Sequence, residues 1–477
     1  MVWLLVLVPL LFALVATVTP SERLRPWLVP IGGLTQLILV SFAITGDTVS
    51  GFQGWLLLDP LGKLVLLFIS ALFFICSLYA PAYLSLRTER PTRLFCACLL
   101  SMLGMMTMMT LSHHLGLMWV AMEATTLATA PLLLFNSSPR SLEATWKYLL
   151  IGSVGIALAL LGSFFLAYAS LFEGLESTLQ FDDLIALAPH LSKPWLHAAF
   201  VLLLVGYGTK MGLAPMHTWK PDAYGEAPGL VGALLAGGVT SCAFLAILRF
   251  YSICVAAGEV AFAREILIFS GILSMVVAAV FMIRQRDFKR MLAYSSVEHM
   301  GILVLGIGIG GLATFGALLH LLTNGLTKGV LFLSAGNIHR AFGSKLTDDV
   351  RGAIRRVPIS GALFLVGFLA ITGSPPFGPF ISEFTILNGA IGSGKFVVAA
   401  LFLLLLAIVF IGMGSTVLRV TQGAPSTPAS ATDFRESPRF IFPILLFLGL
   451  SLLLGLYIPP QLESLLNNAV SFVEQGT

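Results

Sequence analysis

Charge is what this sequence has least of. Asp, Glu, Lys and Arg together make up only 10% of its 477 residues, whereas 57% of the residues are hydrophobic. Soluble domains carry about 25% charged residues because most of their surface faces water. No polar stretch is long enough to form a separate soluble domain. We therefore expect residues 1–477 to form a single membrane domain.

Cysteine is also scarce, and its spacing is not that of a metal centre. The five cysteines lie in or beside apolar segments, without the C-x2-C pairs that hold iron–sulfur clusters or zinc. The histidines form no spaced pairs suited to haem, and the sequence contains neither a P-loop nor a dinucleotide-binding motif. We expect no metal site, no cofactor, no catalytic residue and no nucleic-acid partner, so any redox chemistry would reside on partner subunits.

Long apolar runs recur from one end of the chain to the other. Many exceed the roughly 20 residues that a helix needs to cross the hydrocarbon core. Unbroken runs favour helices over the short alternating strands of a β-barrel. They predict an all-α polytopic membrane protein of about fourteen spans. The predicted spans are 2–19, 27–45, 55–79, 94–112, 115–135, 145–172, 195–214, 228–251, 264–283, 288–309, 312–339, 357–391, 396–419 and 440–458.

Basic residues alternate between the connections that join these spans. Most of the 27 Lys and Arg residues, Lys220 among them, fall in the odd-numbered connections. The even-numbered connections hold only Lys193, Arg249, Arg264 and Lys395. Because basic residues stay on the cytoplasmic side, we expect the odd connections inside and both termini outside.

Several ionisable residues nevertheless fall within the spans. A charge at membrane depth costs about 3 kcal/mol on insertion scales, so such a residue is functional by default. The candidates are Glu123 in the fifth span, Lys210 and His217 in and after the seventh, Glu298 and His299 in the tenth, His320 and Lys328 in the eleventh, and Glu383 in the twelfth. Together they predict a path for protons. The alternative for each is a structural hydrogen bond between helices.

Glycine and proline interrupt two spans beside such a residue. Gly212 and Pro215 follow Lys210, and the Gly/Pro-rich run 373–379 precedes Glu383. Proline removes a backbone donor, and unpaired backbone at membrane depth survives only in the protein interior or beside water. The seventh and twelfth spans are therefore predicted to be discontinuous.

Matching interruptions in two halves of a chain are typical of inverted repeats with central sites. Lys210 and Glu383 lie 173 residues apart, and Glu123 and Glu298 lie 175 apart. We expect a five-helix repeat over 93–251 and a second over 264–420. Since five is odd, the second repeat must be inverted relative to the first.

Three further sets of residues are expected to be local or exposed. Glu143 and Lys147 are spaced to pair on one helix surface, and so are Asp59 and Lys63. His113 and His114 share a short external turn, where histidines are expected to be exposed.

The sequence resembles the antiporter-like proton-translocating subunits shared by respiratory complex I, membrane-bound hydrogenases and multi-subunit cation/proton antiporters. The resemblance covers essentially the whole chain. It rests on Glu123, on the K-x4-P-x-H-x-W-x-P-D-A run from Lys210, on the YSS-x-x-HMG run from Tyr294, and on LTNGLTKGVLFLSAGNIH and GPFISEF. Within that family, WVAMEATTLATAPLL, SLEATWKYLL and YSSVEHMG most resemble hydrogenase-4 component F.

The resemblance implies roles for several residues. Glu123 and Lys210 would form the carboxylate–lysine pair of the first half-channel. Lys328 and His299 would be links through the second half, and Glu383 would be the exit-side site. Implied partners are other antiporter-like membrane subunits and a peripheral redox arm with nickel–iron and iron–sulfur centres, as in hydrogenase-4 or formate-hydrogenlyase complexes.

One departure from the family pattern concerns the junction between the halves. Family members often carry a second lysine on the eighth span, where this sequence has Ser241. The bridge between the halves would then rest on water, Thr240 or Ser241. Two other functions stay open: a sodium/proton exchanger within a multi-subunit antiporter, and a non-pumping membrane scaffold.

Overall fold

The chain folds almost entirely into helices. The computed structural model describes residues 2–46, 50–87, 89–426 and 431–475, so the extreme ends of the predicted 1–477 domain lie outside the described residues. The prediction of an all-α polytopic membrane protein is confirmed. Its helices are α1 Val2–Val18, α2 Arg25–Thr45, α3 Pro60–Ser85, α4 Thr92–Leu111, α5 Leu115–Leu133, α6 Pro139–Phe172, α7 Phe181–Leu187, α8 Lys193–Met211, α9 Trp219–Glu226, α10 Gly229–Leu234, α11 Thr240–Ala256, α12 Val260–Met282, α13 Phe288–Ile309, α14 Leu312–Phe342, α15 Ala353–Arg356, α16 Pro358–Ile371, α17 Gly378–Gly392, α18 Phe396–Thr421, α19 Pro438–Leu456 and α20 Pro460–Gln475.

Each predicted span coincides with one helix or with helices separated by an irregular segment. Eleven helices within the described ranges are long and apolar enough to cross a membrane, and α1 and α16 are apolar but shorter. The eighth span consists of α10 and α11 joined by the π-helical segment Leu235–Val239. A short hairpin of two two-residue strands, β1 Ser50–Gly51 and β2 Leu56–Leu57, precedes α3.

The connections between helices sort onto two faces. The odd-numbered connections contact one another in sequence order. The contacts join Thr92 to Glu22, Arg87 to Asn136, Asn136 to Glu226, Arg290 to Asp222, Lys345 to Asp287 and Arg351 to Ser426. We call the side that these residues share the basic face. Contacts of Asp59 with His113, His113 with Asp182, and Gly311 with Glu474 join even-numbered connections and the C-terminal helix on the opposite face.

Both helix interruptions turn at a glycine in the left-handed conformation. Gly212 (φ +86°) ends α8, and Gly373 (φ +70°) follows α16. A Cβ on Gly212 would lie 2.6 Å from the Lys220 side chain, and one on Gly373 would collide with the Glu383 carboxylate. Each position therefore requires glycine for its backbone angle and for the ionisable side chain beside it.

The C-terminal helix α20 follows the last apolar run, and no apolar run predicted it. It buries Leu466, Ala469, Phe472 and Val473 against the bundle. Glu474 receives a hydrogen bond from the Gly311 amide at 3.1 Å and pairs with Arg264 at 2.5 Å. An amphipathic helix of this kind has low mean hydropathy, so a search for apolar spans passes over it.

Three expectations about residues on the opposite face are wrong. Asp59 does not pair with Lys63: its carboxylate binds Arg249 at 2.9 Å and His113 at 2.9 Å, while Lys63 bonds to the Gly46 carbonyl at 3.4 Å. His113 is only 1% exposed, and Arg249, expected in a connection, is 0% exposed within α11. A buried guanidinium needs a counter-charge, and Asp59 supplies it from a distant part of the chain.

Electrostatics outside the spans follow these contacts. The hydrogen bond from His113 holds the pKa of Asp182, on α7, below its usual range. On the basic face, hydrogen bonds from Thr92 and Arg25 lower the pKa of Glu22 to about 2. The expected pair of Glu143 and Lys147 is present at 2.6 Å.

Candidate functional site

The first group of predicted site residues lies between α5, α6 and α8. The Lys210 ammonium is buried, and it lies 3.5 Å from the Glu123 carboxylate. It also donates to the Thr126 hydroxyl, and Ser153 donates to Glu123 at 2.8 Å. The Tyr148 ring lies 5.5 Å from the Lys210 nitrogen. Glu123 and Lys210 are thus brought together as a carboxylate–lysine pair.

A glycine on α6 makes room for this pair. A Cβ on Gly152 would lie 2.6 Å from the Lys210 nitrogen. Since α6 packs closely along α8, a larger side chain there would displace the ammonium from Glu123. The short side chains of this part of α6 therefore position the lysine.

The second group lies between α13, α14 and α17. Lys328 is fully buried and donates to Ser295 at 2.7 Å. Glu298 and His299 follow on the same helix as Ser295, and the His299 ring lies 3.9 Å from the Glu298 carboxylate. Both are buried.

A hydrogen-bonded chain runs from α13 through α14 to the second half of the interrupted helix. His299 Nδ1 lies 3.0 Å from His320 Nε2, and His320 Nδ1 lies 2.8 Å from the Ser382 hydroxyl. Glu383, the next residue on α17, places Oε1 at 4.0 Å from His299 Nδ1. That buried oxygen has no hydrogen-bond partner among the described residues. The hydrogen-bonded chain therefore ends at Ser382, and the Glu383 carboxyl group lies beside its first histidine without a bond to it.

The same three residues could be considered as metal ligands. Donor atoms of His299, His320 and Glu383 all lie within 4.8 Å of one another. Two nitrogens on a tetrahedral zinc ion, each about 2 Å from it, would be about 3.3 Å apart. The 3.0 Å between the two rings is instead a hydrogen-bond distance. The arrangement fits a shared proton, and the expectation of no metal site stays a prediction.

His217 joins neither group through the contacts described. It lies between α8 and α9, its Nδ1 is buried without a partner in the described part of the chain, and its ring is 6.4 Å from that of Tyr294. Its predicted part in proton transfer stays a prediction.

The hydroxyls expected to bridge the two groups are occupied within their own helix. Thr240 donates to the Ala236 carbonyl at 2.7 Å, and Ser241 donates to the Gly237 carbonyl at 2.5 Å. Both bonds close onto the π-helical segment. They leave neither hydroxyl proton available to a neighbour.

Lys220 lies in the connection between the seventh and eighth spans, as predicted, but it is buried there. Expected in a connection on the basic face, it is 0% exposed. Its ammonium donates to the Met211 carbonyl at 2.7 Å and lies 5.4 Å from the Tyr224 ring. A charged side chain in a short connection is usually solvated, so the burial of Lys220 is not expected from its position in the sequence. The available signal was its position inside the K-x4-P-x-H-x-W-x-P-D-A run, directly after an interruption.

A polar cavity opens on the basic face next to α9. It has a volume of about 700 Å³ and is lined by charged residues of several connections. These include Lys147, Asp222, Glu226, Asp287, Arg290 and Lys345. Asp222 is held by Lys147 at 2.9 Å and by Arg290 at 3.1 Å. Water can therefore reach the helix that carries Lys220.

Comparisons with known proteins agree with this architecture. Residues 112–410 match the family described as "NADH:quinone oxidoreductase/Mrp antiporter, TM". The chain is 32% identical over 469 residues to a "Hydrogenase-4 component F homolog" of Methylacidiphilum infernorum, covering 96% of each protein. A chain of respiratory complex I from Thermus thermophilus superposes with a TM-score of 0.83 at 25% identity, over 100% of both chains.

A second solved structure shares the fold at lower identity. A chain of the Mrp complex from Dietzia sp. superposes with a TM-score of 0.89 at 19% identity, over 100% of this chain and 97% of that one. The likeness shows that the same helical arrangement occurs in an Mrp assembly.

Proposed function

This chain belongs to the NADH:quinone oxidoreductase/Mrp antiporter family of membrane subunits, and from that premise we propose that it moves protons across the membrane within a complex I-like or hydrogenase-4-like redox complex. The observation that carries the proposal is the buried Lys210 ammonium 3.5 Å from Glu123. Ionisable pairs at this depth are costly, and they mark ion pathways or proton relays.

The pair can switch proton occupancy. At an effective dielectric near 20, opposite charges about 4 Å apart interact by about 4 kcal/mol. Moving or neutralising the Glu123 carboxylate removes that stabilisation and favours release of the Lys210 proton. Events in a neighbouring subunit that shift Glu123 would in this way drive proton release.

The second group provides the onward route. Protons would pass Lys328 and Glu298 and follow the His299–His320 contact to Glu383. A histidine can accept a proton at one ring nitrogen and release one from the other, so two in contact form a relay. The free position on Glu383 Oε1 supports its role as the exit-side site.

We further propose fourteen crossings and two inverted repeats, over 93–251 and 264–420. Support comes from the sorting of odd- and even-numbered connections onto opposite faces and from the matching glycine turns at Gly212 and Gly373. The positive-inside rule would place the basic face in the cytoplasm of a bacterium or archaeon and both termini outside.

The redox chemistry would belong to partner subunits. Nickel–iron and iron–sulfur centres are proposed for a peripheral arm, and other antiporter-like subunits for the membrane arm. This follows from the likeness to a hydrogenase-4 component F homolog and to a complex I chain. No cofactor is proposed for this chain.

A cation/proton antiporter subunit is the second candidate. The family description includes Mrp antiporters, and an Mrp chain shares the fold. In that case the sites around Lys210 and Lys328 would exchange protons for sodium. A non-pumping scaffold is less well supported, because a scaffold does not need two groups of buried ionisable residues.

The test uses the whole complex in inverted membrane vesicles. Internal acidification is followed with a pH-sensitive dye while the redox reaction of the complex is started, with a protonophore as the control. We expect redox-driven acidification that does not require sodium and is lost in Glu123→Gln. Proton movement driven by a sodium gradient without redox turnover would instead establish the antiporter. Redox turnover with no proton movement would establish a scaffold.

A further inference from the structure

We propose that Lys220 is a proton-relay residue that joins the two halves of the channel, in place of the lysine that relatives carry on the eighth span. The inference rests on the proposed function and assigns a step within it.

Lys220 is buried without a counter-charge. Its side chain is 0% exposed, and the described part of the chain offers it no ion pair. Its ammonium has three donors, of which one is bonded, to the Met211 carbonyl at 2.7 Å. Burying an uncompensated ammonium costs several kcal/mol, which is comparable to the whole free energy of unfolding of many domains. We therefore expect such a buried lysine where its amine can give up the proton and become neutral.

Lys220 also lies between the two groups of site residues. Its hydrogen-bond partner, Met211, directly follows Lys210, the lysine of the first group. On the other side, the Lys220 ammonium lies 5.4 Å from the Tyr224 ring, which packs at 5.6 Å against Phe332, one turn beyond Lys328 on α14. Burial, and after it the charge of Lys328, hold the pKa of Lys220 well below its usual range.

The interruption after α8 is built around this side chain. A Cβ on Gly212 would lie 2.6 Å from Lys220 Cδ and 2.8 Å from its nitrogen. The corresponding turn in the second half, at Gly373, is filled by the Glu383 carboxylate. Each turn thus holds one ionisable side chain against a glycine.

The two hydroxyls described at the junction do not take this part. The hydroxyls of Thr240 and Ser241 donate to carbonyls of their own helix. The next two residues on its helix, Pro221 and Asp222, line the cavity on the basic face, whereas Lys220 itself is fully buried and is not part of the lining. The proposed proton donor to Lys220 is therefore Lys210.

The step itself is a proton transfer. Neutral Lys220 accepts a proton at its nitrogen, forming the third N–H bond of the ammonium. That bond breaks again when the proton passes toward Lys328 after Lys328 has lost its own. No other bond changes.

The structural alternative is that Lys220 only caps the Met211 carbonyl at the end of α8, as lysines near helix C-termini do. Arginine separates the two roles. It can donate to the same carbonyl and keep the charge, but it does not release protons in proteins. Methionine retains neither property.

The experiment measures redox-driven acidification in vesicles that contain the whole complex, for Lys220→Arg, Lys220→Met and the double variant Lys220→Met/Ser241→Lys. Lys289→Arg is the matched control, because Lys289 is also buried and donates to a carbonyl, that of Ala227, at 2.6 Å. Assembly is checked by recovery of the intact complex.

We expect Lys220→Arg and Lys220→Met to assemble and to lose about a hundredfold in pumping, within the range for lost proton-transfer groups. Lys289→Arg should pump at the normal rate, and Ser241→Lys should restore part of the loss and alter the pH profile of pumping. Lys220→Arg at the wild-type rate would overturn the inference, whether or not Lys220→Met assembles. Failure of the proposed function itself looks different, because the wild-type complex would then turn over without acidification, or Glu123→Gln would acidify the vesicles as fast as the wild type.

Discussion

The Lys210 ammonium is held by two oxygens at once, the Glu123 carboxylate at 3.5 Å and the Thr126 hydroxyl. The carboxylate can change its charge, whereas the hydroxyl cannot. The charge of Glu123 therefore decides how strongly Lys210 keeps its proton, while Thr126 keeps the ammonium in place.

Replacing either titrating partner should stop proton translocation. Glu123→Gln keeps the shape of the side chain, and Lys210→Ala removes the amine. We expect both complexes to assemble and to lose about a hundredfold in redox-driven acidification, within the range for proton-transfer groups. Thr126→Val is the control and should pump at a reduced but measurable rate. Normal pumping in both Glu123→Gln and Lys210→Ala would show that the pair only holds α5 and α8 together.

Proton translocation should depend more on whether the residue at position 383 can titrate than on the sign of its charge. Glu383→Gln removes titration and keeps the shape, so we expect pumping to be lost. Glu383→Lys keeps a titratable group and should retain part of the activity. The measurement is the initial rate of acidification in vesicles. A fully active Glu383→Gln would indicate that protons leave by another route, such as Glu298 and His299.

The two histidines should be needed as a relay. His320→Gln can still hydrogen-bond to Ser382 but cannot pass a proton between two ring nitrogens, so pumping should fall about tenfold or more. Ser382→Ala removes the neighbouring hydroxyl and should have a smaller effect. Equal losses in the two variants, with reduced recovery of the complex, would point to a packing role for His320.

Sequence patterns located the spans and most of the ionisable groups, because both depend on local composition. Apolar runs show where helices cross, and a charge inside such a run is visible without knowing its neighbours. Which charges meet is not local: the contact of His299 with His320 follows from the packing of α13 against α14.

The same limit explains the differences from the predictions. Lys220 stands in a short connection that folds back into the bundle, a tertiary event that no spacing reveals. Asp59 pairs with Arg249 instead of nearby Lys63 because burial of Arg249 demands a partner. The helix α20 was not predicted because the polar residues on one of its sides lower its mean hydropathy, although the apolar residues on the other side are buried.

Removing Asp59 should destabilise the bundle. Arg249 is fully buried and contacts Asp59 at 2.9 Å, so Asp59→Asn leaves an uncompensated charge at a cost of about 3–5 kcal/mol. We expect a lower midpoint of thermal unfolding in detergent. The double variant Asp59→Leu/Arg249→Met removes both charges and should recover much of the loss. Asp59→Asn with an unchanged midpoint would mean that the Ser112 and Thr110 carbonyls, to which Arg249 also donates, stabilise the guanidinium without the carboxylate.

The orientation can be tested by labelling. Asp348→Cys lies on the connection 343–352, and Glu176→Cys lies on the connection 173–180; both native residues are exposed. With the basic face in the cytoplasm, an impermeant thiol reagent added to intact cells should label Glu176→Cys and spare Asp348→Cys. The wild-type protein controls for its native cysteines, four of which are buried. The reverse labelling would invert the proposed topology.

The contact between His299 and His320 has a consequence for timing. Each neutral ring carries one N–H, so at 3.0 Å one ring donates and the other accepts. After a proton has travelled from His299 to Ser382, every hydrogen bond along the way points in the opposite sense. The rings must exchange tautomers or flip before a second proton can follow. If protons take the proposed route, these contacts would pass them one at a time, and the rate at which the two rings are reset would limit turnover.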